Sequence, residues 1–190
     1  MNNILKSALF ATLLVLVTTT CKYFFGPEIA LSGFSPVIAI ALFSGFVIRQ
    51  KEWLFFFSLT SLFVSDLAIE LLYQNGLFDY AGVYAGQWKN YALLLSITFV
   101  GYLFKGRTVK GIFAGAFSGA TLFFLLSNGM VWLYSSEEAI YSKDLAGLAT
   151  CYMAGLPFYK NSVLSALVFL PGVLFVYNYL SLRKKAIILA

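Results

Sequence analysis

The feature that most constrains this chain is a series of long apolar stretches joined by short polar connections. Spanning the hydrocarbon of a membrane takes about 20 apolar residues in a helix. Hydrophobic residues form 61% of the 190 positions and charged residues only 11%, which is more apolar surface than a soluble domain of this size can bury. The sequence therefore predicts an all-α integral membrane protein, a single domain over residues 1–190 with six transmembrane helices. The predicted spans are residues 4–25, 29–48, 53–73, 87–104, 112–134 and about 162–182.

A seventh apolar stretch, residues 145–158, is too short to cross a membrane comfortably and contains Pro157. Proline disfavours a helical conformation in the residue before it. Gly147 and Gly155 would let such a segment pack closely against neighbours. The sequence thus predicts an outer re-entrant or interfacial helix that ends at Pro157.

Lysine and arginine determine the expected orientation, because they collect on the cytoplasmic side of membrane proteins. With six spans, nine of these residues fall on one side and four on the other. We therefore expect both termini in the cytoplasm of a multi-pass protein of the bacterial inner membrane. The first stretch is expected to stay as a helix rather than be cleaved as a signal peptide. The net charge of +5 reflects topology, and nucleic acid is not an expected partner.

The start of the second span is unusual because Ser35 and Pro36 interrupt the apolar run. Serine caps helices and proline suits a first turn, so a short helix from residue 36 to 49 is one interpretation. Its amides would face a protected outer cavity and favour an anionic or carbonyl group. A longer helix that is only kinked at Pro36 is the alternative.

Asp66 is the one acidic residue well inside a predicted span. An ionisable group there costs several kcal/mol unless it is paired or hydrated, so it is a candidate for function. Ligand binding, a structural role at a backbone break and proton coupling are the alternatives.

Further polar and aromatic residues fall at a similar outer depth. Asn128 offers donors and acceptors without a charge, and Tyr152 and Asn161 give the apolar segment polar edges. Trp132 and Tyr141 are either walls of the site or ordinary interface anchors. The predicted substrate-binding residues are Ser35, Pro36, Asp66, Asn128, Trp132, Tyr141, Tyr152, Phe158 and Asn161.

The fifth span carries Gly111, Gly115 and Gly119 at four-residue spacing, which makes one helical face nearly flat. The sequence predicts helix packing there, against either an internal neighbour or another subunit. Cys21 and Cys151 are either bridged on the outer side or two buried thiols. The chain has no histidine, so no metal, cofactor or catalytic residue is predicted, and we do not expect an enzyme.

Several motifs resemble a bacterial membrane family known as domain of unknown function 6580, to which a transport role has been attached. The similarity is carried by "FSPVIAIALFSGF", "SLFVSDLAIE" and "LLSNGMVWLY" with "AGLATCYMAGLPFYKN", across residues 30 to 180. The family's six short spans and outer pocket are similar to the S components of energy-coupling-factor vitamin transporters. Those components bind a vitamin from outside and depend on an ATPase module.

The resemblance and the polar residues together imply a substrate-binding importer that captures a small, vitamin-like metabolite from the outer side. The chain has no nucleotide-binding loop, so an ATPase or other energising module, or further membrane subunits, would be its partners beside the substrate and membrane lipids. The alternative function is an accessory structural subunit of a larger inner-membrane complex.

Overall fold

Six α-helices make up most of the chain in the computed structural model, which describes residues 3–47, 52–104, 108–134 and 140–180. Three helices, over Ile4–Phe25, Val109–Tyr134 and Leu145–Tyr179, are long and apolar enough to cross a membrane. The predicted all-α fold is confirmed. The helices are α1 Asn3–Phe25, α2 Val37–Val47, α3 Glu52–Gln74, α4 Trp88–Phe104, α5 Val109–Tyr134 and α6 Leu145–Tyr179.

Of the two interpretations of the second span, the structure has the short helix, because residues 29–36 are not helical and α2 begins at Val37. Helix α2 has 11 residues, or about 16 Å of rise, against a hydrocarbon core of about 30 Å. It begins immediately after Pro36, whose carbonyl accepts a hydrogen bond from the Ile40 amide at 2.9 Å. The expected cap by Ser35 is not formed: the helix starts one residue too late for it, and the Ser35 hydroxyl has no hydrogen-bond partner.

Helix α2 lies at the centre of the bundle. Every residue from Ile38 to Val47 is buried, and α2 packs against α3, α4, α5 and α6. A helix that is apolar all round is stable only when it is surrounded. The four neighbouring helices therefore surround the apolar surface of α2.

Two glycines bring α2 and α4 into backbone contact. A Cβ atom placed on Gly45 would lie 2.0 Å from the Thr98 carbonyl oxygen, and one on Gly101 would lie 2.2 Å from the Leu42 carbonyl oxygen. Since backbone atoms cannot move aside as a flexible side chain can, neither position has space for a methyl group. This crossing fixes the distance between the two helices.

The glycine face of α5 packs inside the same chain. A Cβ on Gly119 would meet Leu42 and Ile97 side-chain atoms at 3.0 to 3.3 Å, and one on Gly115 would meet Phe46 and Phe104 at 3.5 to 3.6 Å. Gly111, at the start of this face, lies next to Thr108. Of the two alternatives, the internal neighbour is the one observed.

The prediction of a separate outer helix over residues 145–158 is wrong, because α6 is continuous from Leu145 to Tyr179 through Pro157. Tyrosines on either side of this proline hold the helix against α5. The Tyr152 hydroxyl donates to the Leu125 carbonyl at 2.7 Å, and the Tyr159 hydroxyl lies 2.9 Å from the Thr121 hydroxyl. A helix held by neighbours on both sides of a proline can absorb the missing hydrogen bond.

The first turn of α6 is closed by Asp144, whose carboxylate accepts from the Gly147 amide at 2.7 Å. This hydrogen bond lowers the pKa of Asp144 below its ordinary value, and the Ser142 hydroxyl adds to the effect. Near this end of the helix, Cys151 is a buried free thiol, as is Cys21 in α1. The disulfide alternative is therefore not formed.

The α2–α4 crossing yields a stability prediction. Gly45→Ala or Gly101→Ala forces the two backbones apart and should lower the free energy of unfolding by about 1–3 kcal/mol, the usual cost of overpacking. Thermal unfolding in detergent measures the effect. Gly172→Ala is the control: it also lies within a helix, nothing lies within 4 Å of its added Cβ, and it should stabilise by about 0.5–1 kcal/mol. Equal midpoints for all three variants would contradict the packing described.

Candidate binding site

A cluster of polar side chains joins three helices near one end of the bundle. Lys22 of α1 forms an ion pair with Asp66 of α3. The Lys22 ammonium also donates to the Ser65 hydroxyl at 2.8 Å, and the Tyr91 hydroxyl of α4 donates to the second Asp66 oxygen at 2.5 Å. Both oxygens of the carboxylate are therefore engaged.

The ion pair is largely withdrawn from solvent, with side-chain exposures of 23% for Lys22 and 17% for Asp66. Asp66 lies eight residues before Gln74, the last residue of α3, or about 12 Å below the end of that helix. Placing either charge alone at this depth is costly, whereas a hydrogen-bonded pair offsets much of the desolvation. Each charge therefore needs the other.

The connection between α3 and α4, residues 75–87, is pressed onto the backbone of α3 beside Asp66. A Cβ on Gly82 would lie 2.1 Å from the Asp66 carbonyl oxygen and 2.4 Å from the Glu70 nitrogen. The Glu70 carboxylate accepts from the Val83 amide at 3.0 Å. The Gln87 side-chain amide donates to the Gly82 carbonyl at 3.0 Å. The loop is thus fixed over the ion pair.

This polar cluster forms one wall of a cavity of about 250 Å³. The cavity lies between α1, α3, α4 and α5, and the first residue of α2 also contributes. One part of its lining is polar or charged and the other is apolar. The polar lining residues are Lys22, Asp66, Tyr84, Gln87, Asn90 and Tyr91, and the apolar ones are Val37, Leu62, Leu94 and Phe123.

A second cavity of about 400 Å³ adjoins the first between the start of α4 and the end of α5. Tyr84 and Asn90 line both cavities, and the Asn90 side-chain amide donates to the Tyr84 hydroxyl. On the far side, the Lys89 ammonium lies 3.7 Å from the centre of the Tyr134 ring. Tyr84 and Asn90 therefore form a partition between the cavities.

The environment of Tyr84 keeps it protonated. Partial burial raises the pKa of this phenol above its ordinary value of 10.0, and the negative charge of Asp66 raises it further, against a lowering by the hydrogen bond with Asn90. At neutral pH the partition is therefore a neutral hydrogen-bonded pair.

The nine substrate-binding residues predicted from the sequence do not come together. Of these, only Asp66 is among the described residues that line either cavity. Ser35 and Pro36 lie in the segment 26–36, which contacts the middle of α6, where the Ser165 hydroxyl donates to the Ser35 carbonyl at 3.0 Å. There the Asn161 side-chain amide donates to the Ala30 and Ser32 carbonyls at 2.8 and 2.9 Å.

Asn128 and Tyr152 lie between α5 and α6. The Asn128 amide donates to the Phe124 carbonyl at 2.9 Å, and its oxygen occupies the space beside Gly155, 2.4 Å from where a Cβ would lie. Tyr152 donates to α5 and stacks edge-on against Phe124. Both side chains therefore hold two helices together.

Of the predicted aromatic walls, Trp132 lies near the end of α5 and Tyr141 shortly before α6, whereas Phe158 lies further along α6, next to Gly33. The Trp132 indole donates to the Ser142 carbonyl at 2.9 Å, which closes the turn between the helices. Tyr141 is half-buried and Phe158 is 40% exposed. Ligand contact by these residues stays a prediction.

The sequence prediction missed most of the cluster around Asp66. Lys22 lies at the end of the first span and looked like a charge at the membrane boundary. Gln87, Asn90 and Tyr91 are spaced so that they share one face of a helix start. This spacing was the one pattern in the sequence that pointed to the site. However, the start of a helix commonly carries polar residues, so the spacing alone could not identify a binding site.

The bundle has the features of a helical membrane protein: three helices of spanning length around a short buried one, with an ion-paired cavity near one end. The chain belongs to the family of unknown function DUF6580, whose model matches residues 2–187. No curated protein matched the sequence, and no solved structure matched the fold.

Removing one charge of the pair should destabilise the protein more than removing both. Lys22→Met or Asp66→Asn leaves an unpaired, mostly buried charge, which should lower the free energy of unfolding by roughly 2–4 kcal/mol. The double variant should lose less than the sum of the two changes, because no charge is stranded. Unfolding midpoints of the four proteins measure the coupling. Additive losses would show that the two charges do not interact.

Proposed function

We propose that this protein is a membrane importer or substrate-capture subunit that binds a small metabolite from the outer side of the bacterial inner membrane. The observation that carries the proposal is the cavity beside the Lys22–Asp66 pair. Binding pockets combine apolar walls with a few well-placed polar groups, and this cavity has both.

An ion pair that lines a cavity is a costly way to hold helices together. Replacing such a pair with apolar residues of similar size is often neutral or stabilising. Ligand recognition gives a reason for charges at this depth. The volume of about 250 Å³ is just below the range of roughly 300–1,000 Å³ of typical ligand pockets, so the ligand is small.

The proposed topology has six spans and both termini in the cytoplasm, on the distribution of nine and four basic residues. The cavity lies near the ends of α1 and α3 and the starts of α2 and α4. On this topology that end of the bundle is the outer one. Residues 26–36 and 75–87 then form the outer surface around the entrance.

Import would require a source of energy outside this chain, since its sequence has no nucleotide-binding loop. An ATPase module and a further membrane subunit, as in the S-component transporters, are the proposed partners. Proton coupling through Asp66 is a second energy source that would need no such partner.

The alternative of an accessory structural subunit relied on the glycine face of α5 as a docking surface. Side chains of Leu42, Phe46 and Ile97 occupy that face in the described structure. The alternative therefore has no specific observation in its favour, and binding is the better-supported function.

The test is to purify the protein from bacterial membranes and identify co-purified small molecules by mass spectrometry. We expect the wild-type protein to retain a water-soluble metabolite and Asp66→Asn to lose most of it, since one charge-assisted hydrogen bond is worth roughly 1.5–3 kcal/mol, or about 10- to 100-fold in affinity. The matched control is Asp79→Asn, the same chemical change in an exposed residue of the loop 75–87.

Retention of the metabolite by the control but not by Asp66→Asn supports the proposal. Lipid as the sole co-purified molecule, together with stoichiometric partner proteins, would overturn it in favour of a structural subunit.

A further inference from the structure

The residues that line the cavity beside the ion pair indicate the chemical class of its ligand. We propose that the ligand is a compact zwitterion with an apolar group, in chemical terms an α-amino acid with an apolar side chain. This inference rests on the proposed function and makes it specific. It follows from the charge, the free hydrogen-bonding capacity and the lining of one cavity.

The first step concerns charge. Lys22 and Asp66 are the two charged side chains among the described residues that line the cavity, and their charges cancel. A ligand with a net charge would add an uncompensated charge to a site of low dielectric, which is costly. A ligand with no net charge avoids that cost.

The second step concerns the hydrogen bonds still available. An ammonium group has three donors, and Lys22 uses two of them, toward Ser65 and Asp66. A carboxylate offers about four lone-pair sites, and Asp66 accepts two hydrogen bonds, from Lys22 and Tyr91. Among the described residues, one cationic donor and about two anionic acceptor sites therefore have no further protein partner. A ligand carboxylate can accept from the open Lys22 donor, and a ligand ammonium can donate to the open Asp66 acceptor sites.

The third step concerns the distance between the ligand's charges. Lys22 and Asp66 are in direct contact, so groups bound to them on the same side of the pair lie within one or two hydrogen-bond lengths of each other, about 3 Å each. An α-amino acid carries its two charges on the same carbon atom. A zwitterion with charges at opposite ends of an extended chain reaches one of the two groups and leaves the other unpaired, unless it folds back on itself at a cost in conformational entropy.

The fourth step concerns the rest of the cavity. Val37, Leu62, Leu94 and Phe123 line its apolar part, and an apolar ligand group can bury its surface against them. The volume of about 250 Å³ restricts the ligand to a small molecule. A molecule the size of leucine matches that space.

The test uses four related compounds on the wild-type protein in lipid nanodiscs, with binding measured by the shift in thermal unfolding midpoint over a concentration series. Leucine is the compact zwitterion, and 6-aminohexanoate is its isomer with separated charges. The amine 3-methylbutylamine lacks the carboxylate, and 4-methylpentanoate lacks the ammonium. We expect leucine to bind at least about tenfold more tightly than the other three, because each of them loses one charge-assisted hydrogen bond.

Two variants should change the order of preference. In Lys22→Met the cavity carries a net negative charge, so the amine should bind more tightly than leucine. In Asp66→Asn it carries a net positive charge, so 4-methylpentanoate should bind more tightly than leucine. Lys160→Met and Asp79→Asn make the same changes at exposed positions and should keep the wild-type order. If the ion pair had only a structural role, each of the two variants would bind all four compounds more weakly by the same factor.

The wild-type comparison of leucine with its isomer decides the question even where a variant fails to fold. Equal shifts for the isomers, or no shift with leucine, would overturn the inference. If mass spectrometry then finds a retained metabolite of another charge class, the proposed function is supported although the inference about the ligand is wrong. If leucine gives no shift and mass spectrometry finds no retained metabolite, the proposed function is wrong as well.

Discussion

The backbone contact between α2 and α4 determines much of the rest of the bundle. Gly45 and Gly101 face carbonyl groups across the crossing with no room for a methyl group, so the short central helix lies deep among its neighbours. Since α2 begins only at Val37, the chain before it must fill the remaining length with irregular backbone. Asn161 and Ser165 of α6 donate hydrogen bonds to that segment, which satisfies carbonyls that would otherwise be costly to bury.

The cavity exists because α2 begins only at Val37. At the level of the cavity α2 has not yet begun, and the volume before Val37 is bounded by side chains of α1, α3, α4 and α5 and of the loop 75–87. The residues that face it bear opposite charges, Lys22 and Asp66, with Tyr91 completing the carboxylate's hydrogen bonds. The loop glycine Gly82, in contact with the backbone of α3, keeps the loop that carries Tyr84 close to the pair.

The helical fold could be predicted from apolar stretches alone, because burial in a membrane requires long apolar helices with satisfied backbones. Helix boundaries at Phe25, Phe104 and Tyr134 were predicted to the residue. The continuity of α6 through Pro157 was not predicted, because it depends on tertiary contacts that tyrosines of α6 make with α5. Asp66 was recognised by its depth, whereas Lys22 was not, because a lysine at the end of a span is ordinary until its partner is known.

The length of α6 has a consequence for the protein's relation to a bilayer. Its 35 residues extend about 52 Å, and fitting that length into a core of about 30 Å would take more tilt than membrane helices show. If α6 crosses a bilayer, part of it would therefore stand outside the hydrocarbon. If this is the part before Pro157, roughly 18 Å long, it carries the exposed apolar side chains Leu145, Met153 and Leu156 into the headgroup layer. The bundle would then be taller at α6 than at the short central helix α2.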